Sequence, residues 1–191
     1  MSTWYHGTNQ SSAHSICTKG IDFSKSNQEL DFGVGFYLTD DEMIAEKRAI
    51  GKTKMINRVN RSNEMPAIVT VEIDDNIIDS LLIKEFPYCN EEWLFFTLAN
   101  RLTEQYINKH NIKEHNLDLR YDIVKGSIAD SDVSQIANHI ETEDIDMSSV
   151  SVYDILTDNG TTLGEQMSLH TKSSLKIVKK MSYHIIKRRN K

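Results

Sequence analysis

Hydrophobic and polar positions along this chain fall into short segments whose period keeps changing. Thr3 to His6 reads as a strand, and Ser11 to Lys19 as a short helix. Ser11 or Ser12 can accept its first-turn amides, and Gly20 supplies a residue able to stop it. Asp22 to Asp31 is a polar loop lacking apolar anchors, which suits a mobile flap as readily as a plain connection. Behind it, Gly33 and Gly35 admit unusual backbone angles and close approach, and Phe36, Tyr37 and Leu38 follow as a short strand. Thr39 or Asp40 can then cap a helix with Asp41 and Glu42 in its first turn, running to about Ile50 and ended by Gly51.

Asn57 to Glu64 reads as a basic polar loop, and Pro66 opens an alternating strand, Ile68 to Ile73, closed by Asp74 to Asn76. Asn90 caps a long helix. Phe95, Leu98, Leu102 and Tyr106 share one of its faces, with Trp93 and Ala99 beside them, which is core packing. His110 and His115 fall in an exposed loop. Tyr121 to Val124 is the next strand, from which Gly126 to Asp130 leaves. Asp132 to Ile140 is a helix, Ser148 to Thr157 a helical turn or an edge element, and Gln166 to Thr171 a strand. Leu175 to Ile186 closes the chain as a strand pair or as a strand with a helical turn. This interleaving, without repeats or a linker, predicts one α+β domain over residues 1–191.

Composition narrows the class. The 191 residues are 39% apolar and 26% charged, and a chain of that length can bury a core without disulfides or metal. Cys17 and Cys89 form no paired framework and show no metal-ligand spacing, as expected of a reducing cytoplasm. No basic start leads into an apolar run, and no apolar run approaches membrane-spanning length, so the expectation is a cytoplasmic chain with no membrane partner and no metal.

Net charge is −6, which disfavours nucleic-acid binding by the whole surface. The charge is uneven, however: Lys47, Arg48, Lys52, Lys54, Arg58 and Arg61 crowd one segment, a second basic run ends the chain, and acids gather between Glu141 and Asp158. A solvated face or an electrostatic footprint for nucleic acid both fit the basic segments.

Candidate chemistry lies in two separated stretches, Trp4-Tyr5-His6-Gly7-Thr8 and Gly33-Val34-Gly35-Phe36-Tyr37-Leu38-Thr39. The glycine spacing is not the dinucleotide-binding fingerprint, which needs a third glycine and a helix directly behind it. Their order resembles the ADP-ribosyltransferase superfamily of the His-Tyr-Glu type, which includes diphtheria-like toxins and poly(ADP-ribose) polymerases. A bacterial toxin-like branch is most similar, since Tyr-Asp-Ile-Val-x-Gly-x-Ile-Ala-Asp and Gln-x-Ser-x-His-Thr recur as Tyr121 to Asp130 and Gln166 to Thr171.

That resemblance implies split, mostly antiparallel sheets with peripheral helices, and NAD as the substrate. It implies dinucleotide contacts from His6, Gly7, Thr8, Gly35, Phe36 and Tyr37. His6 would bond a ribose hydroxyl, the Gly7 backbone would pair with the nicotinamide amide, and Tyr37 would stack on the nicotinamide ring. The family glutamate falls on Gln166, an amide that carries no charge and cannot act as a base. Glu165 should point to the opposite face of a regular strand, and Asp130 is a further candidate carboxylate, so His6, Tyr37, Gln166 and Asp130 form the candidate catalytic set. The implied activity is transfer of ADP-ribose to a protein or nucleic-acid acceptor, as a toxin or antiphage effector with a small neutralising antitoxin partner. The alternative is a degenerate fold acting as a nucleotide- or partner-binding module.

Overall fold

The computed structural model describes residues 1–27, 30–78, 80–129, 131–150 and 164–187. Among them run the strands β1 (Ser2–Asn9), β2 (Phe36–Thr39), β3 (Pro66–Ile73), β4 (Ile83–Glu85), β5 (Ile123–Ser127), β6 (Glu165–Leu169) and β7 (Val178–Ile185). The helices are α1 (Gln10–Lys19), α2 (Glu42–Asn60), α3 (Asp75–Ile78), α4 (Glu91–Arg101), α5 (Glu104–Lys109) and α6 (Ser131–Thr142). The α+β class expected from periodicity is what is observed. The chain divides into two compact units, one of Met1–Asp22, Tyr37–Leu81 and Lys172–Lys191, the other of Phe23–Phe36 and Leu82–Thr171.

In the first unit an antiparallel sheet has the order β2-β1-β3-β7, with Tyr5 opposite Thr39, His6 opposite Val69 and Val69 opposite Tyr183. One face carries α2, whose Ala45, Ala49 and Thr53 are buried. On the opposite face His14 of α1 meets Tyr183 edge-on. Cover on both faces explains why Ala67, Ile68 and Val69 are all buried although adjacent strand residues point apart. The closing segment is a 3-10 turn, Ser174–Ile177, followed by β7, the second of the two forms the pattern allows.

Two helix boundaries differ from the sequence expectation. Asp41, rather than Thr39 or Asp40, caps α2 by accepting from Met43 N at 2.7 Å. The helix passes through Gly51 and ends at Arg61, which takes a left-handed φ of 51°. Gly51 faces open space, so its cost is only lost helix propensity, about 1 kcal/mol, which tertiary packing of the alanine stripe exceeds. The expected loop from Asn57 is therefore helical to Asn60, and Asn57 then closes the turn by bonding Glu64 N and Glu64 O. For α1, the cap comes from far along the chain: Ser11 N donates to Glu64 Oε2 at 3.1 Å, and Asn9 makes no side-chain cap bond.

The second unit holds β4 parallel to β5 and β5 antiparallel to β6. Phe32, Phe86 and Phe96 cluster with ring centroids 5.0 to 6.2 Å apart. Gly126 lies against them, and a Cβ there would meet Phe86, Phe32 and Trp93 at 3.2 to 3.3 Å. The expected long helix is two helices. Asn90 caps α4 as read, accepting from Trp93 N, but α4 ends at Leu102 and Thr103 starts α5 by accepting from Tyr106 N. The apolar stripe continues across this break, which is why periodicity alone reads straight through it. His110 and His115 are half-buried rather than exposed: His110 stacks on Tyr106 at 4.2 Å and bonds Asp144 at 2.9 Å. The strand read at Tyr121 begins at Ile123 and includes Gly126 and Ser127.

Candidate functional site

β1 of the first unit presents His6 beside β2, where its Nδ1 lies 2.7 Å from the Tyr37 carbonyl oxygen. A carbonyl only accepts, so Nδ1 carries the hydrogen. Burial pushes the imidazole pKa down to about 4, the Tyr37 bond opposes this, and the positive charges of Lys52 and Arg48 add to the fall. Near neutral pH the ring is thus uncharged, with Nε2 as its acceptor nitrogen. The Tyr37 side chain is half-buried.

Gly7 has a packing reason of its own. A Cβ at this position would stand 2.0 Å from Ala45 O and 2.8 Å from Ala49 N, so α2 crosses β1 where β1 has no side chain. Thr8 is completely buried. Its hydroxyl lies 3.5 Å from Asn9 Oδ1.

In the second unit, β6 sends Gln166, Ser168 and His170 to one face by strand alternation, and all three are buried. Gln166 is 2% exposed, and its Nε2 donates to Asp31 Oδ2 and to the Ser127 carbonyl oxygen. Asp31 is 5% exposed. It accepts from Arg101 Nε at 3.1 Å, from Arg101 Nη2 and from Ala129 N at 3.1 Å. Arg101 also reaches Ser134. Both neighbours of the Gln166 amide nitrogen are acceptors, so position 166 requires a side chain with two donors. Glutamine supplies them, and a carboxylate does not. The amide oxygen is left buried with no partner among the described residues. Glu165 is exposed, on the other face of the strand.

His170 holds the glycine-rich stretch. Its Nδ1 donates to Val34 O at 2.7 Å, its Nε2 accepts from Ser168 Oγ at 2.7 Å, and burial pushes its pKa down to about 4. Gly35 lies flat against this ring, since a Cβ there would come within 2.9 Å of two ring atoms. Gly35 N also donates to Ser26 Oγ at 3.1 Å, while Gly33 turns the chain at a φ of 84°. Phe36 is buried. The polar loop, read as a flap or a plain connection, is thus anchored at its end by Asp31. The two motif blocks interlock as well: Asp122 accepts from Thr171 Oγ1 and from Leu82 N, and its carbonyl accepts from His170 N.

The His6 ring and the Tyr37 backbone carbonyl are brought together in the first unit. Gln166, Gly35 and Phe36 belong to the second, and Asp130 lies outside the described residues. Sequence reasoning missed Asp31, Arg101 and His170. The available signal was the alternation in Gln-x-Ser-x-His: three polar side chains on one face of a buried strand must find polar partners.

The fold and these polar clusters define an α+β protein with a half-buried, neutral histidine on its first strand. By its sequence the chain belongs to the family described as "Protein of unknown function (DUF3990)", whose model matches residues 3–180. No curated protein and no solved structure matches it.

Proposed function

We propose that this chain is an NAD-dependent ADP-ribosyltransferase of the His-Tyr-Glu type, a cytoplasmic toxin or antiphage effector countered by a small antitoxin protein. The observation that carries the reading is the His6–Tyr37 pair, an uncharged imidazole on the first strand fixed by its Nδ1 hydrogen against the strand that bears the tyrosine. In the reaction the bond between ribose C1′ and the nicotinamide nitrogen breaks, and its electron pair leaves with nicotinamide. The acceptor nucleophile then bonds C1′ and loses a proton. A cationic histidine would oppose the positive charge that develops on the ribose, and a neutral one does not. With Nδ1 committed to Tyr37, His6 meets a ribose hydroxyl as an acceptor at Nε2, which reverses the donor role the resemblance implied. Tyr37 stacks on nicotinamide, the Gly7 backbone pairs with the nicotinamide amide, and the split-sheet form of the superfamily is the finer fold this reading implies.

One observation favours the second reading, a binding module without turnover. The side chain at 166 is an amide tied to Asp31 and Ser127, so this position provides no charge for the ribosyl cation. The test is release of nicotinamide from NAD by the purified chain and by His6→Ala and Tyr37→Ala. Release by the parent, reduced at least about tenfold in each variant with the fold intact, supports transfer, since misplacing one positioned group readily costs that much. NAD binding without release supports the module, and parental rates in both variants overturn the site.

A further inference from the structure

Between Glu46 and Glu64 the chain has no acidic residue, yet it has six cations, Lys47, Arg48, Lys52, Lys54, Arg58 and Arg61. Five lie on α2, the sixth ends it, and all six are exposed. None takes part in an ion pair among the described residues. A solvated helix ordinarily relieves such crowding with acids three or four residues away. Here the only acids of α2, Glu42 and Glu46, stand on one flank, lining an open groove with Ile68, His184 and Ile185 of β3 and β7.

The helix geometry says where the cations point. Ala45, Ala49 and Thr53 form the buried stripe. Lys47, Lys54 and Arg58 project roughly opposite that stripe, into solvent, at about 100° per residue. Lys52 and Arg48 lie about 60° and 100° round from the stripe on the side away from Glu42 and Glu46, which is the side of β1 and β2. The positive charges of Lys52 and Arg48 are among the causes that lower the His6 pKa. A positive band therefore covers the solvent face of α2 and its flank away from Glu42 and Glu46. Met55 and Val59, 60% and 74% exposed, stand among these cations. Arg48, Arg58 and Arg61 carry guanidinium planes able to stack on unstacked bases, which a single strand offers and a duplex hides.

We propose that this face of α2 docks the phosphate backbone of a single-stranded nucleic acid that serves as the acceptor. This rests on the transferase reading for what happens to the strand, but the docking itself is measurable without it. The test is fluorescence anisotropy of the whole chain with a labelled single-stranded RNA of about 20 nucleotides over a salt series. The variant Lys47→Gln/Lys54→Gln/Arg58→Gln changes only the solvent-facing cations, none of which belongs to the candidate dinucleotide site. With about 0.7 salt exponent per phosphate contact on a single strand, three lost contacts should flatten the slope of log K against log salt by about 2 and weaken binding about a hundredfold near 0.1 M salt. The charge-preserving Lys47→Arg/Lys54→Arg should retain parental binding. Nicotinamide release into water should be the same in parent and triple variant. If release is absent from the parent while RNA binding behaves as stated, the transferase reading fails and the docking face stands. No RNA binding by the parent, an unchanged slope in the triple variant, or tighter binding to a poly-glutamate peptide or to anionic phospholipid vesicles would overturn the proposal.

Discussion

Replacing Gln166 by glutamate restores the residue that the His-Tyr-Glu pattern would place there, and we expect it to damage the fold. The side chain is 2% exposed, and its amide nitrogen donates to Asp31 Oδ2 and to Ser127 O. A carboxylate in the same place donates to neither and sets a second acid against Asp31. The cheaper state is the protonated acid, whose single O–H can still serve one acceptor. Holding a glutamate of ordinary pKa about 4.3 protonated at about pH 7 costs about 4 kcal/mol, and the lost second donor adds about 1 kcal/mol. At about pH 5 the protonation cost falls to about 1 kcal/mol, so the deficit should shrink from about 5 to about 2 kcal/mol. Urea unfolding of parent and variant at matched pH, followed by the fluorescence of Trp4 and Trp93, measures this difference. A deficit that does not change with pH would refute the donor argument. An unperturbed fold with faster nicotinamide release would show that the amide stands in for a catalytic carboxylate.

Two glycines of the first unit should respond in opposite directions. Gly7→Ala drives a Cβ into the Ala45 carbonyl and should destabilise by about 3 kcal/mol, within the range for overpacking, whereas Gly51→Ala meets open space inside α2 and should stabilise by up to about 1 kcal/mol; thermal unfolding of the two variants decides both. His170 should make stability pH-dependent. Its folded pKa, pushed down to about 4, lies below the unfolded value of about 6.5, so the unfolded chain binds more protons between these values and stability falls as pH drops through that window, by about 3 kcal/mol from this residue. His170→Gln, which keeps a donor and an acceptor, should show a shallower fall in urea midpoints over the same range. An unchanged pH dependence would mean that the ring is not held neutral.

The local pattern of this sequence determined the α+β class, the strands around His6, Tyr37 and Gln166, and the caps at Gly20 and Asn90, because each follows from period, turn chemistry and first-turn donors within a few residues. The opposite faces of Glu165 and Gln166 were legible for the same reason, since strand alternation is a local property. What tertiary structure decided are the partners. Asp31 looked like the end of a solvated loop until Arg101, Ala129 and Gln166 were found around it. Gly51 looked like a stop, and packing of Ala45, Ala49 and Thr53 carried α2 through it. Glu64 caps a helix that begins more than fifty residues earlier. Gly35 read as a point of close approach, and the group that approaches it is the His170 ring, 136 positions from Val34. Hydrogen-bond donors and close-packed rings are satisfied in space, and nothing in the spacing of a single chain records which distant residue will satisfy them.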